Sequence, residues 1–248
     1  MNKTERFIAV FDMDGTLTPR DTIFGLFGLI GLRSRAERVY KASLSNPAWV
    51  SKEFGIPVKD VFPGIDIERV IKEALENAPI SAQQFNRVAA SPLYPGARPL
   101  IARLQRLGNV ETFIATASYA PIAQRIAARL GVDASNVACT RLLLDTQGNA
   151  VKFVGPVMEG PKKADFIRQL AASKRVPLDN FIAVGDSPSD IPFLLAVQRA
   201  GGFAASVKDK AEIRRAGIPI FRKANRPDFQ GLEKAMGQFM DSKQVNKA

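Results

Sequence analysis

Three times along the chain an apolar run breaks off at small, hydroxylated or acidic residues, and a helix-forming stretch takes over. Residues 6–11 (RFIAVF) run into Asp12-Met13-Asp14-Gly15-Thr16, residues 110–115 (VETFIA) into Thr116, and residues 181–184 (FIAV) into Gly185-Asp186-Ser187-Pro188-Ser189-Asp190. Between these runs Leu100, Ile101, Leu104 and Leu107 form a helical stripe ending at Gly108. Ile122, Ile126 and Leu130 form another, closed by Gly131 as a C-cap. Further helices are expected from Lys163 and from Asp190. Residues 137–139 make a short strand, residues 141–154 read as a hairpin around Thr146-Gln147-Gly148-Asn149, and short strands are expected near Phe203 and Ile218. The last eight residues, DSKQVNKA, read as frayed. Such alternation points to a parallel sheet with helices on both faces.

Residues 21–91 break the alternation. They are rich in helix formers, with Val70, Ile71, Ala74 and Leu75 at helical spacing, and Pro92, Pro95 and Gly96 punctuate the return. The fold class expected is therefore α/β, a Rossmann-like parallel sheet core with an inserted helical cap. The core takes residues 1–20 and 92–248, and the cap residues 21–91. The longest uncharged apolar stretch, residues 22–32 (TIFGLFGLIGL), falls short of the ~18–20 residues a membrane span needs. It reads as cap core, or as a wall for an apolar part of a substrate or a dimer contact. The N-terminal residues MNKTERFIAVFD lack a signal-peptide layout. A cytoplasmic protein is expected, away from membranes, as a monomer or homodimer.

Composition narrows the chemistry. The chain has no histidine, so no Ser-His-Asp triad, His-ligated zinc or phosphohistidine can form. One cysteine, Cys139, leaves no internal disulfide, and the position six residues after it is Asp145 rather than the arginine of a cysteine-dependent phosphatase. The net charge of +11 raises nucleic-acid binding as an alternative. The excess is spread along the chain, however (Arg33, Arg35, Arg38 and Lys41; Arg98, Arg103 and Arg106; Arg222, Lys223 and Arg226), and no nucleic-acid motif accompanies it. No nucleic-acid partner is expected.

Carboxylates remain. Asp12 and Asp14 share one turn beyond the first strand, and Asp186 and Asp190 follow a later one. In open α/β sheets ligands bind beyond the carboxyl ends of strands. Two acidic clusters there, without histidine, make an all-oxygen site for a hard cation, Mg²⁺ foremost. Between them, the Thr116 hydroxyl precedes a helix, and Gly160-Pro161-Lys162-Lys163 opens another with two ammonium groups that could neutralise a phosphoryl oxygen.

Taken in order, DMDGT, IATAS, GPKKA and GDSPSD resemble the four signatures of the haloacid dehalogenase superfamily, in its phosphoserine-phosphatase-like branch with a helical cap. The resemblance covers roughly residues 6–20 and 92–205. It implies an Mg²⁺-dependent phosphatase that hydrolyses a small phosphorylated metabolite through an aspartyl-phosphate. Asp12 would be the nucleophile, and Asp14 the acid and then the base. Thr116 and Lys163 would hold phosphoryl oxygens, with Ala117 and Ser118 beside them on the substrate side. Asp12, the Asp14 main-chain carbonyl and Asp186 would bind Mg²⁺, with Asp190 a further ligand or a residue that orients the others. Lys163 matches the third signature more closely in spacing than Lys162. The second signature departs from that branch, with Thr116-Ala117-Ser118 in place of Ser-Gly-Gly. Asp21 stands where the branch carries a glutamate that reads the substrate's amine. A phosphomutase or phosphotransferase of the same superfamily is the alternative among enzymes.

Overall fold

Strand β1 (Phe7–Phe11) is buried at every position, as a strand covered on both faces must be. Its side chains divide by the two-residue period of a strand. Phe7, Ala9 and Phe11 enter one apolar cluster, Ile8 and Val10 another. The computed structural model describes residues 5–31, 75 and 79–245. After β1 come α1 (Thr22–Leu29), α2 (Ala82–Ala89), α3 (Ala97–Arg106), β2 (Val110–Tyr119), α4 (Ala120–Leu130), β3 (Val137–Leu144) and β4 (Ala150–Val154). Then follow α5 (Pro161–Lys174), β5 (Phe181–Gly185), α6 (Ile191–Arg199), β6 (Phe203–Ser206), α7 (Ala211–Arg215), the short pair β7 (Arg222–Lys223) and β8 (Arg226–Pro227), and α8 (Phe229–Val245).

The main sheet has the order β4-β3-β2-β1-β5-β6. All neighbours pair in parallel except β3 and β4. The expected α/β architecture is thus present. Helices α3, α4 and α8 cover the face shared by Phe7 and Phe11, and α5, α6 and α7 cover the other. Strand order reverses at β1, which pairs with β2 on one side (Phe11 with Ile114) and β5 on the other (Phe11 with Val184). A crevice at the carboxyl end of β1 is the geometric result.

Several local expectations change. The second strand continues to Tyr119, with its register against β3 shifting between Thr116 and Tyr119. Thr116, paired with Cys139, therefore sits at the edge of a bulge formed by Ala117 and Ser118 rather than at the strand's end. The strand at Val137 runs unbroken into the hairpin, whose turn is held by Asp145 Oδ1 accepting from the Gln147 and Asn149 amides at 2.9 and 2.8 Å. Ile218 is not in a strand; the bridge falls at Ile220, opposite Ser206. Residues 241–245, expected to fray, continue α8 because Phe229, Leu232, Met236 and Met240 bury one side of it. Helix α5 begins at Pro161, and a 3₁₀ turn (Pro188–Asp190) precedes α6.

Of the described residues in 21–91, Leu26, Phe27 and Phe85 join the cluster of Phe11 and Ile114. Arg33, Arg35, Arg38, Lys41, Val70, Ile71 and Ala74 lie outside the described residues. Among the described residues no helix is long and apolar enough to cross a membrane.

Burial pushes the Cys139 thiol up to about 11, with Arg141 opposing. Only the thiolate alkylates. At pH 8 Cys139 in the folded chain is expected to react with iodoacetamide about 100-fold more slowly than in urea, read by mass spectrometry. Equal rates would contradict the burial.

Candidate active site

The crevice collects the acids. Asp12 follows β1, and its amide donates to the Val184 carbonyl at 2.8 Å, so the main chain ties the ends of β1 and β5 together. Asp186 follows β5. Asp190 reaches back over the same turn: its Oδ2 accepts from the Asp186 and Ser187 amides at 3.0 and 3.1 Å and from Ser187 Oγ at 3.1 Å. Gly185 permits that approach, since a Cβ there would lie 2.7 Å from the Asp190 carboxyl.

Lys163, on the first turn of α5, is 2% exposed and lies between two of these carboxylates. Its Nζ donates to Asp12 Oδ1 at 2.6 Å and to Asp190 Oδ1 at 2.7 Å. Burial pulls its pKa down, but Asp12 and Asp190 outweigh that and hold it above the ordinary lysine value. Lys162, beside it in the sequence, is exposed on the helix surface. Burial raises Asp12 well above the usual carboxylate range; Lys163 opposes, and Asp190 and Asp186 add to the rise. Asp186 is raised by burial and by Asp190, against the pull of Lys208.

The carboxylate oxygens of Asp12, Asp186 and Asp190 come within 4.8 Å of one another, and all three residues are buried. With all three ionised, these carboxylates against the ammonium groups of Lys163 and Lys208 leave one negative charge in excess. Hard anionic oxygens at this spacing, with charge to spare, fit a small divalent cation.

Asp14 is not one of the three grouped carboxylates. Its Oδ2 accepts from the Thr22 hydroxyl at 2.6 Å and the Thr22 amide at 3.0 Å, and Thr18 Oγ1 lies 3.3 Å from Oδ1. The Thr22 hydroxyl is also 2.6 Å from Ser118 Oγ. Asp14 is pushed up to about 7, first by burial and next by the Asp21 carboxylate, with the Thr22 hydrogen bonds opposing.

The second signature is held in the bulge of β2. Thr116 and Ser118 are buried, and Thr116 Oγ1 accepts from the Ser118 amide at 3.1 Å. The Ala117 carbonyl accepts from Thr140 Oγ1 at 2.7 Å. Asp21 lies apart from the carboxylate cluster. It caps α1, its Oδ1 accepting from the Phe24 amide at 3.0 Å.

Three contributors had no assigned role in the sequence reading. Thr16 donates to Asp12 Oδ2 at 3.1 Å and lies 3.4 Å from Asp186 Oδ1. Thr22 was counted with the apolar stretch. Lys208, just past β6, donates to Asp186 Oδ2 at 2.6 Å. Gly15 allows that pair. It has a φ of +81°, and a Cβ there would collide with Asp186 Oδ2 and Lys208 Nζ.

A mainly parallel sheet carrying its acids at the ends of two central strands, with a buried lysine between them, defines a class. The profile of the haloacid dehalogenase-like hydrolases matches residues 9–195, and the chain belongs to that family. It is 28% identical over 193 residues to phosphoserine phosphatase SerB2 of Mycobacterium tuberculosis, covering 77% of this chain and 42% of that one. It is 24% identical over 202 residues to the phosphoserine phosphatase of Mus musculus, covering 79% and 81%. The chain thus spans less than half the length of the mycobacterial relative. A substrate-bound phosphoserine phosphatase structure, 15% identical, superposes with a TM-score of 0.67 over 94% of this chain and 100% of that one. That likeness is one of fold.

Removing one partner of a buried ion pair strands the other charge. Lys163→Met is expected to cost about 3–5 kcal/mol at pH 7 in urea unfolding. A loss below about 1 kcal/mol would mean that the two carboxylates do not depend on it.

Proposed function

We propose that the chain is an Mg²⁺-dependent phosphatase acting on a small organic phosphomonoester through an aspartyl-phosphate. The observation that carries this reading is Asp12, buried, with Lys163 2.6 Å from one oxygen and Asp186 and Asp190 alongside. The relatives named phosphoserine phosphatase support the reaction class.

In this reading Asp12 attacks phosphorus and displaces the alcohol, whose oxygen takes a proton from Asp14. Asp14 then takes a proton from the water that hydrolyses the aspartyl-phosphate, restoring both carboxyls. A carboxyl at about 7 suits both duties near neutral pH. Lys163 stays charged through the cycle because two carboxylates hold its proton, and it offers that charge to the phosphoryl oxygens. Thr116, Ala117 and Ser118 lie beside the second strand's bulge and contribute hydroxyl and amide donors to the same group. Mg²⁺, when bound, supplies charge neutralisation for the transferring phosphoryl group. Asp12, the Asp14 main-chain carbonyl and Asp186 would hold it, with Asp190 fixing the turn and Lys163.

Residues 21–91 are read as a cap that sets specificity. Thr22, the first residue of α1, links it to Asp14 and Ser118. Asp21, at the cap's entry, would read a substrate's cationic group.

Asp12→Asn is expected to reduce phosphate release from an aryl phosphate by about three orders of magnitude or more, and chelation to abolish it. Undiminished turnover in Asp12→Asn would sink the nucleophile assignment. Transfer of the phosphoryl group to an added alcohol in place of release would favour a transferase.

Asp14 must carry a proton to serve as the acid. The kcat/KM profile should therefore fall as pH rises through about 7. Thr22→Val removes a hydrogen bond that favours the ionised carboxylate. Its descending limb should move to higher pH; an unmoved or downward-shifted limb would dissociate Thr22 from the acid.

A further inference from the structure

Each of the clustered carboxylates has an oxygen already committed to the protein. Asp12 Oδ1 accepts from Lys163, and Asp190 Oδ2 from two amides and a hydroxyl. Asp186 Oδ2 accepts from Lys208 at 2.6 Å, where the Asp186 side chain is 8% exposed. Lys208 reaches the crevice from beyond β6, over Gly15, whose missing side chain leaves the space the ion pair fills. The other Asp186 oxygen, Oδ1, has the Thr16 hydroxyl at 3.4 Å. That hydroxyl oxygen lies nearer Asp12 Oδ2, at 3.1 Å, and has a single proton to donate. Asp186 therefore has one held oxygen and one open one.

We infer that Lys208 is a specificity-determining positioning residue: by holding Oδ2 it limits Asp186 to coordination through one oxygen, and so sets the cluster for a small octahedral cation over a larger one. Mg²⁺ demands near-ideal octahedral geometry, which single carboxylate oxygens provide. Ca²⁺ takes six to eight oxygens and readily uses both oxygens of one carboxylate. With Oδ2 held by Lys208, two-oxygen binding by Asp186 requires breaking that partly buried ion pair, a penalty that falls on Ca²⁺ and spares Mg²⁺. The inference rests on the reading above that the cluster holds a divalent cation.

The test is titration calorimetry of Mg²⁺ and, separately, of Ca²⁺ into the full wild-type chain, Lys208→Met and Lys208→Arg. Deleting one positive charge strengthens the attraction of both divalent ions alike, so single affinities do not discriminate; their ratio does. In Lys208→Met the ratio of the Ca²⁺ to the Mg²⁺ dissociation constant is expected to fall by about tenfold, through tighter Ca²⁺ binding. Lys208→Arg, which keeps a cationic donor, should retain the wild-type ratio. Should Lys208→Met not unfold cooperatively, Lys208→Gln, polar at the same partly exposed position, is read with the same expectation. A variant ratio within about twofold of wild type overturns the role of Lys208, even if both affinities move. A wild type that binds Mg²⁺ with such an unmoved ratio overturns this inference alone. A wild type that binds neither cation overturns the metal reading and this inference with it.

Discussion

A lysine ammonium with almost no exposure to water, 2.6 Å from one carboxylate and 2.7 Å from another, is an arrangement that must be built as a unit. Moving such an ion from water to a protein interior costs several kcal/mol, and only close opposite charges with good geometry offset that. Three elements distant in sequence supply the parts: β1 brings Asp12, α5 brings Lys163, and the turn after β5 brings Asp190. The parallel pairing of β1 with β5 fixes the spacing of the two acids, and the amide of Asp12 on the Val184 carbonyl fixes their height. Sheet, helix start and turn are thereby held to one geometry. The side chains that meet in the site are carboxylates, ammoniums and hydroxyls, in a chain without histidine.

What a sequence shows well is what neighbours in the chain decide. β1, β2 and β5 could be read because each is a short apolar run ended by polar residues, and both acidic clusters followed as the residues just beyond two of those ends. The parallel core was legible from the same alternation. The bulge at Thr116 was not: residues 116–119 continue the strand pattern, and the register shift arises only against Thr140 on β3. Lys208 escaped notice because one lysine after a four-residue strand looks like any surface cation among 35 basic residues. Its meaning comes from Asp186, 22 positions away in sequence. Thr22 was hidden by its apolar neighbours, and its hydroxyl matters because α1 starts beside Asp14. The C-terminal helix outran its expected end because tertiary burial of Met236 and Met240 outweighs a polar tail.

Charge in the crevice is kept close to balance. Pairing Asp12 and Asp190 with Lys163, and Asp186 with Lys208, leaves one carboxylate uncompensated. Asp14 is held by the Thr22 hydroxyl and amide and lies outside the three grouped carboxylates, and burial raises both it and Asp12.

The central place of β1 has a consequence for how the chain reaches this structure. Phe7 pairs with Val110 and Ile8 with Phe181, so β1 acquires its neighbours only when segments 103 and 173 residues further along the chain have been made. During synthesis the segment FIAVF, buried at every position in the end, must wait without partners. Pairings of such sequence separation fold slowly. An exposed apolar strand in that interval invites association with other chains. The strand that organises the finished crevice is therefore also the one most in need of protection while it forms.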